Sequence, residues 1–338
     1  MSGPFPPFRP HPWLRSGHAQ TVAGAFLPGR RYPYRARRHR VALADGDAIV
    51  LHDDCPSGWR SGDRAALLIH GLAGCHESRY VQRIAHKLGA RGVRAFRMDL
   101  RGCGAGAGLS RLPYHSGRSE DAAAALLALA RIAPDSPVTL VGFSLGGNIT
   151  LKLAGELADR PCGQLDSAMA VCPPVDLAAC SRQIQKRENR VYDRYFVGLL
   201  LRQIEDHLRA SPDAATVRFA RPPRTLWEFD NAFTAVVCGF GTADNYYALA
   251  SSLPLLPNIR LPTLIVSARD DPMIPPEPLA GASLPPAVRL HMSDHGGHLG
   301  FVGRGGTDAD RRWMDWRVVD WVLAAGRRVS PTRAAAHS

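Results

Sequence analysis

Two kinds of segment alternate along the chain. Ala65-Ala66-Leu67-Leu68-Ile69 is an unbroken apolar run ending at His70-Gly71, the pattern of a parallel strand buried on both faces. Val93 to Met98, Val138 to Phe143, Ala168 to Val171, Pro262 to Ser267 and Val288 to Met292 predict further strands of this kind. Between them the apolar spacing lengthens. Val81, Ile84, Ala85 and Leu88 form a helical stripe over Ser78 to Leu88, closed by Gly89. Ser119 to Ile132 predicts a helix capped by Ser119, with Glu120 and Asp121 in its first turn and Pro134 beyond its end. Gly147 to Ala158 and Trp313 to Ala324 predict two more helices, and Val41 to Leu51 two short strands around the turn Asp45-Gly46.

Strand alternating with helix predicts an α/β fold, with a mostly parallel central sheet covered by helices on both faces. The rhythm breaks over residues 175–257. Arg194 to Leu208 reads as one helix there, Pro222-Pro223 and Pro254 to Pro257 punctuate the rest, and no core strand is evident. This interval predicts a helical cap inserted into a core formed by 35–174 and 258–326. Residues 1–34, rich in Pro, Gly and Arg, predict an irregular arm, and 327–338 a flexible tail.

Composition narrows the function classes. The 338 residues are 45% hydrophobic and 21% charged, an ordinary globular balance. No apolar run reaches the roughly 18 residues a membrane span needs, and no apolar stretch follows a basic N-terminus. The seven cysteines are odd in number and form no Cys-x-x-Cys pair, which argues against structural zinc and a disulfide framework and predicts a reducing, cytoplasmic setting. The net charge of +12 is carried almost wholly by arginine, since Lys87, Lys152 and Lys186 are the only lysines. The arginines are spread along the chain with no nucleic-acid motif beside them, so nucleic acid is not an expected partner.

Chemistry concentrates at Gly142-Phe143-Ser144-Leu145-Gly146, a Gly-x-Ser-x-Gly pattern placed where a buried strand meets a helix. A nucleophile on such a sharp turn needs glycines two residues to either side, and the following helix points its N-terminus at the serine. A serine hydroxyl needs a base, and this fold supplies acid and histidine later in the chain. In His295-Gly296-Gly297-His298, after the last expected strand, His298 is favoured as the base and His295 as a loop-shaping neighbour. After the strand Pro262 to Ser267 lie Asp270 and Asp271; Asp271, which opens Asp-Pro-Met-Ile-Pro, is favoured as the acid. The backbone amides of Leu145 and Leu72 are the expected oxyanion donors. His70 reads as loop-shaping, and Cys103 and Asp99 as packed or turn-stabilising residues at strand ends.

Several short segments add a resemblance. His18-Ala19-Gln20-Thr21, His70-Gly71-Leu72-Ala73-Gly74, Arg101-Gly102-Cys103-Gly104, Tyr114-His115-Ser116-Gly117 and Gly142 to Asn148 (GFSLGGN) come first. Glu228-Phe229-Asp230, Tyr246-Tyr247, Asp270-Asp271-Pro272 and His295 to Phe301 follow. In this order, across residues 18 to 325, the chain resembles the fourth family of the AB hydrolase superfamily, the YheT-like and eukaryotic ABHD-type acyl hydrolases. The resemblance implies an α/β-hydrolase fold, Ser144, Asp271 and His298 as a triad, and esterase or lipase-like action on acyl esters. One departure is Cys75-His76-Glu77, where relatives carry small or polar residues.

The expected function is hydrolysis of carboxylic esters through an acyl-enzyme, with a small-molecule acyl ester or lipid as substrate and no metal or cofactor. The expected cap contributes Tyr195, Phe196, Leu199, Leu200, Phe233, Phe240, Tyr246 and Tyr247 to an acyl pocket or to its own packing. Two alternatives stand beside it: an acyltransferase using the same triad, and a non-catalytic binding protein on the same scaffold, attached to anionic membrane through the basic arm.

Overall fold

The computed structural model describes residues 5–328 except 31, 212 and 307. The expected tail lies outside the described residues from 329 onward. Eight strands form one sheet: β1 (Arg37–Ala42), β2 (Ala48–Asp54), β3 (Ala65–Ile69), β4 (Arg94–Asp99), β5 (Val138–Phe143), β6 (Leu165–Val171), β7 (Thr263–Ala268) and β8 (Val288–Ser293). Their order across the sheet is β1-β2-β4-β3-β5-β6-β7-β8. β2 pairs antiparallel with both β1 and β4, and every other pairing is parallel. The architecture is therefore the expected mostly parallel α/β sheet.

The helices in chain order are α1 (Gly17–Phe26), α2 (Arg79–Gly89), α3 (Ser119–Ile132), α4 (Leu145–Leu157), α5 (Leu177–Ile184), α6 (Arg190–Ala210) and α7 (Leu226–Phe229), then α8 (Ala235–Val237), α9 (Ala243–Ala250), α10 (Glu277–Ala280) and α11 (Trp313–Arg328). A π-helical turn, Asp230–Thr234, joins α7 to α8.

Strand alternation divides the core between the two faces. Leu67, Ile69 and Leu140 pack with Leu126 and Leu129 of α3 and Ile149 and Leu153 of α4. Leu68, Val141 and Phe143 face the other way, against Val81, Ile84 and Leu88 of α2 and Met314, Val318 and Val322 of α11. Each aliphatic side chain so buried contributes about 2 kcal/mol, which is why strands with no polar face are stable only in this sandwich. Arg101 is fully buried and pairs with Asp121, Asp47 and Asp45, so its charge is matched where it cannot reach water.

The structure corrects several expectations. The N-terminal arm is not irregular throughout: α1 forms because Ser16 Oγ accepts from the Ala19 amide at its start and Gln20, Thr21 and Ala23 give it a buried face. Ser119 does not cap α3; its hydroxyl donates to Glu156 and the helix begins after Arg118. α4 begins at Leu145, two residues before the expected start, because Ser144 itself is its boundary residue. α6 extends the expected 194–208 helix at both ends. Among the described residues, α5 to α9 and no strand of the sheet lie between β6 and β7. Among the described residues no helix is long and apolar enough to cross a membrane.

Candidate active site

Parallel pairing puts the carboxyl ends of β3, β5, β6, β7 and β8 along one edge, where such sheets gather their chemistry. Ser144 follows β5 directly. Its backbone is at φ 51°, ψ −120°, a strained conformation for a side-chain-bearing residue. The flanking glycines make the turn feasible. A β-carbon on Gly142 would lie 2.0 Å from the Gly146 carbonyl oxygen, and one on Gly146 would lie 2.5 Å from that of Ile69. Asn148, the last residue of GFSLGGN, donates through Nδ2 to the carbonyls of Ser116 and Ala250 and accepts from the Ser252 amide. It thereby ties α4 to the Tyr114–Gly117 loop and to the end of α9.

The three expected residues converge. Ser144 Oγ lies 2.8 Å from His298 Nε2, and His298 Nδ1 lies 2.8 Å from Asp271 Oδ2. A proton on Nδ1, facing Asp271, leaves Nε2 free to accept from the serine. Asp271 is buried, and its other oxygen accepts from the amides of Met273 and Ile274, within the Asp-Pro-Met-Ile-Pro turn. Asp270 points elsewhere: its Oδ1 accepts from the Gly297 amide, and His295, half exposed, lies 3.4 Å from its Oδ2. Asp270 thus shapes the loop that carries His298, and His295 lies outside the hydrogen-bonded chain.

Of the two expected oxyanion residues, Leu145 is the first residue of α4, where helix amides have no intrahelical acceptor. In the loop after β3, the Gly71 amide donates to Tyr80 Oη and the Ala73 amide to Tyr114 Oη. Among the described residues the Leu72 amide between them has no hydrogen-bond partner. Leu72 and Leu145 line one cavity, of about 120 Å³, together with Ser144 and His298. Burial pushes Tyr80 up to about 12, so its hydroxyl stays neutral as it holds the loop. His70 is fully buried beside its own turn, with Nδ1 2.7 Å from the Gly71 carbonyl oxygen, and burial pushes its pKa down; it shapes the loop. Burial likewise pushes the Cys103 thiol well up, which suits a packed residue rather than a thiolate nucleophile.

Asp99, at the end of β4, is the hub of a separate buried cluster. His52 and His76 both bond its carboxylate, as do the His76 and Ala105 amides. Burial pushes Asp99 up, but the hydrogen bonds from His52 and His76 prevail and hold it well below the usual carboxylate range. The unusual Cys75-His76-Glu77 segment is therefore an anchor behind the loop that carries Leu72.

The inserted helices form much of the cavity wall. Phe196, Leu200, Tyr246 and Tyr247 line it. Phe233, with Leu200 and Tyr246, lines a second cavity of about 60 Å³ that shares Leu72, Leu145 and Asp230 with the first. Tyr195 instead faces solvent, and Phe240 packs with Tyr246 on α9.

Residue-by-residue reading of the sequence missed three contributors. Thr21 Oγ1 accepts from the His298 amide, and Gln20 bonds both backbone groups of Val302. The signal for both was the His18-Ala19-Gln20-Thr21 motif, but its partners are nearly three hundred residues away in sequence. α1 can lie against the His298 loop because Gly17 has no side chain: a β-carbon there would fall 1.6 Å from the Asp270 carbonyl oxygen. The third is Asp230, which lines both cavities.

Comparisons with known proteins place the fold and the family. The profile of the alpha/beta hydrolase fold family matches residues 66–304. The chain is 34% identical to YheT of Escherichia coli (strain K12), named as a candidate esterase, over 90% of this chain and 89% of that protein. It is 26% identical to the Homo sapiens phospholipase ABHD3 over 87% of this chain and 73% of that one. With the Saccharomyces cerevisiae monoacylglycerol lipase it shares 31% identity over 73% of this chain and 56% of that protein. Among solved structures, the 2,6-dihydroxy-pseudo-oxynicotine hydrolase superposes with a TM-score of 0.57 at 18% identity, covering 93% of this chain and 74% of that one. Est1E from Butyrivibrio proteoclasticus superposes at 0.55 with 15% identity, covering 86% of this chain and 99% of that one. By profile, by sequence and by fold, this chain belongs to the alpha/beta hydrolase family, in its YheT- and ABHD-like branch.

Proposed function

We propose that the protein hydrolyses carboxylic esters of acyl groups, with Ser144 as nucleophile, His298 as general base and acid, and Asp271 as the group that orients His298. The observation that carries this reading is the hydrogen-bonded chain Ser144–His298–Asp271, with both links at 2.8 Å, mounted on a strained turn inside a largely apolar cavity. Ser144 Oγ attacks the ester carbonyl while its proton passes to His298 Nε2. The imidazolium is stabilised by Asp271, and the Leu145 and Leu72 amides receive the negative charge on the carbonyl oxygen. Collapse expels the alcohol, which takes the proton from His298, and leaves an acyl group on Ser144. Water, deprotonated by His298, then releases the acid and restores Ser144.

The relatives are named as a candidate esterase, a phospholipase and a monoacylglycerol lipase, and only the cleavage of an ester bond that these names have in common is carried over. On this reading α5 to α9 serve as the cap: their inward residues Phe196, Leu200, Tyr246 and Tyr247 give the cavity apolar walls suited to an acyl chain. A fluorophosphonate probe tests the assignment. It should label the wild type and not Ser144→Ala; equal labelling of both, or none of either, overturns it. An acyltransferase would differ in the second half-reaction, yielding a new ester when an alcohol is added.

A second element of the reading is a lipid surface as the place of work. Val22 and Phe26 on α1, and Val191 and Tyr195 on α6, are exposed by 48%, 60%, 67% and 49% respectively, and Phe26 and Tyr195 are in edge contact. Lys186, Arg187, Arg190 and Arg194 are exposed beside them, and residues 1–44 contain eight arginines and no Asp or Glu. Apolar side chains rimmed by cationic ones suit an anionic interface. The inner side of the same α6 lines the Ser144 cavity through Phe196 and Leu200.

A further inference from the structure

Asp230 has no part in the ester chemistry described above, yet it occupies a telling position. It lies in the wall shared by the two cavities, with Leu72, Leu145, Leu200 and Tyr246. It keeps some exposed surface as a residue and lines both cavities, next to the aromatic cluster of Phe229 and Phe233. Its neighbours Phe229 and Phe233 are buried.

Each oxygen of its carboxylate has one neutral donor. Thr234 Oγ1 donates to Oδ1 at 2.8 Å and Tyr247 Oη to Oδ2 at 2.8 Å. A carboxylate offers about four acceptor positions, so capacity remains on both oxygens. Three fully buried acids among the described residues each have a cation or backbone amides: Asp121 has Arg101, Asp315 has Arg83 and Lys87, Asp271 has two amides and His298. Among the described residues Asp230 has no ion pair. An uncompensated carboxylate in an apolar wall is a liability that a neutral side chain would avoid, and it is tolerated where a ligand supplies what is missing. A second feature agrees. Asp230 opens a π-helical turn, Asp230–Thr234, an uncommon geometry that recurs at functional sites. Here the turn sets Thr234 against the carboxylate from one side while α9 brings Tyr247 from the other.

We propose that Asp230 is a substrate-recognition residue that receives an electropositive group on the ester, a hydroxyl hydrogen or an alkylammonium. This rests on the ester-hydrolase reading and deepens it. The carbonyl lies at Ser144 and the Leu72 and Leu145 amides, and the substrate's polar substituent reaches the wall those same two leucines share with Asp230. Tyr246 and Tyr247 line the same cavity as Asp230, and aromatic rings beside a carboxylate suit a cation as well. The substrate class is therefore an acyl ester bearing a free hydroxyl or an ammonium, rather than a simple alkyl ester.

The test is designed to stand apart from turnover. Monobutyrin, butyrylcholine and ethyl butyrate share one acyl group and differ in the substituent: hydroxyls, a quaternary ammonium, or neither. Their binding is measured by ligand-observed NMR titration on Ser144→Ala and on Ser144→Ala/Asp230→Asn. We expect monobutyrin or butyrylcholine to bind Ser144→Ala tighter than ethyl butyrate, and to lose about 10-fold or more on Asp230→Asn, as expected for a hydrogen bond to a charged group. Ethyl butyrate should change less than about 2-fold. Which of the two ligands responds distinguishes the hydroxyl from the ammonium. Equal affinities on Ser144→Ala, or equal losses for all three on the double variant, would overturn the proposal and leave Asp230 as a strut for the π turn.

If Asp230→Asn does not fold, the pH profile of binding to Ser144→Ala decides. Burial raises Asp230 to about 6. Around it, Tyr114, Cys238, Tyr246 and Tyr247 are pushed up by burial, and His115 and His207 across the second cavity are pushed down. The tyrosines and Cys238 therefore stay neutral up to about pH 8, the two histidines favour their neutral form, and Arg101 stays charged. His298 and Asp271 face all three esters alike. Affinity for the responsive ester, relative to ethyl butyrate, should fall as pH drops through about 6; an unchanged ratio overturns the proposal. Hydrolysis and fluorophosphonate labelling of wild type report separately on the Ser144 assignment.

Discussion

The hydroxyl of Thr21 accepts a hydrogen bond from the backbone amide of His298 at 2.9 Å, joining the N-terminal helix to the loop that presents the proposed base. The same hydroxyl donates to the Gly17 carbonyl, and Gln20 holds Val302 from the next position. The loop itself has left-handed backbone at Gly297, Leu299 and Phe301, so it depends on such outside supports.

Thr21→Val keeps the shape of the side chain and removes the acceptor. We expect kcat for a p-nitrophenyl ester to fall about 10-fold with KM nearly unchanged, because the imidazole is misplaced rather than the substrate. Thr21→Ser should recover most of the rate. A purely structural role would instead lower Tm with no selective effect on kcat.

Asp271 and Asp270 are adjacent and chemically identical, so paired variants separate their roles. Asp271→Asn should lower kcat/KM by about 10³-fold or more, since it loses the acceptor that fixes the His298 tautomer. Asp270→Asn removes only charge from the Gly297 contact and should cost about 10-fold or less. Ester hydrolysis rates for the two purified variants check this, and the reverse ranking would reassign the acid.

Asp230 also predicts a pH dependence of stability. Its pKa is raised by burial to about 6 in the folded chain, above the roughly 3.9 of an unfolded Asp. Between those values the folded state binds more protons, so this group's contribution is fully present below about pH 4 and is lost as pH rises through about 6. Asp230→Asn should therefore stabilise the protein relative to wild type by about 2 kcal/mol more at pH 8 than at pH 4. Urea unfolding at the two pH values measures the difference, and an equal effect at both contradicts it.

The buried Arg101 cluster predicts the opposite kind of variant. Arg101→Ala would leave Asp121, with no exposed surface, and Asp47 without their cation. The expected loss is about 3–5 kcal/mol, read as a lower midpoint in urea. Fluorophosphonate labelling of the fraction that remains folded should persist.

The exposed face of α1 and α6 predicts binding to vesicles. Wild type should co-sediment with phosphatidylglycerol vesicles more than with phosphatidylcholine vesicles, and about 0.5 M salt should weaken it. Phe26→Ser/Tyr195→Ser should reduce vesicle binding about 10-fold while leaving hydrolysis of a soluble ester intact. Equal binding of variant and wild type would remove the lipid surface from the reading.

Much of this protein was legible in the chain. The apolar runs Ala65–Ile69 and Val138–Phe143 appear as β3 and β5 at the expected positions, because a strand buried on both faces has no polar side to obscure its pattern. Gly142, Ser144 and Gly146 were legible because the turn tolerates so few residues there. The sequence also narrowed His298 and Asp271 to pairs of neighbours, through their order after the strands. What it could not determine was which atoms face each other. Asp270 and Asp271 differ only in the direction of their side chains after β7, and that direction is decided by the amides of Met273, Ile274 and Gly297. The helix α1 was hidden because its stabilising contacts are with residues 270–302 rather than with itself. Asp230 was one member of a motif until folding set it in the wall of two cavities. Local sequence determined the elements and the sharp turn at Ser144, since backbone sterics and burial act over a few residues. Tertiary structure alone decided partners and orientation, because hydrogen bonds between distant segments exist only once the sheet has brought its carboxyl edge together.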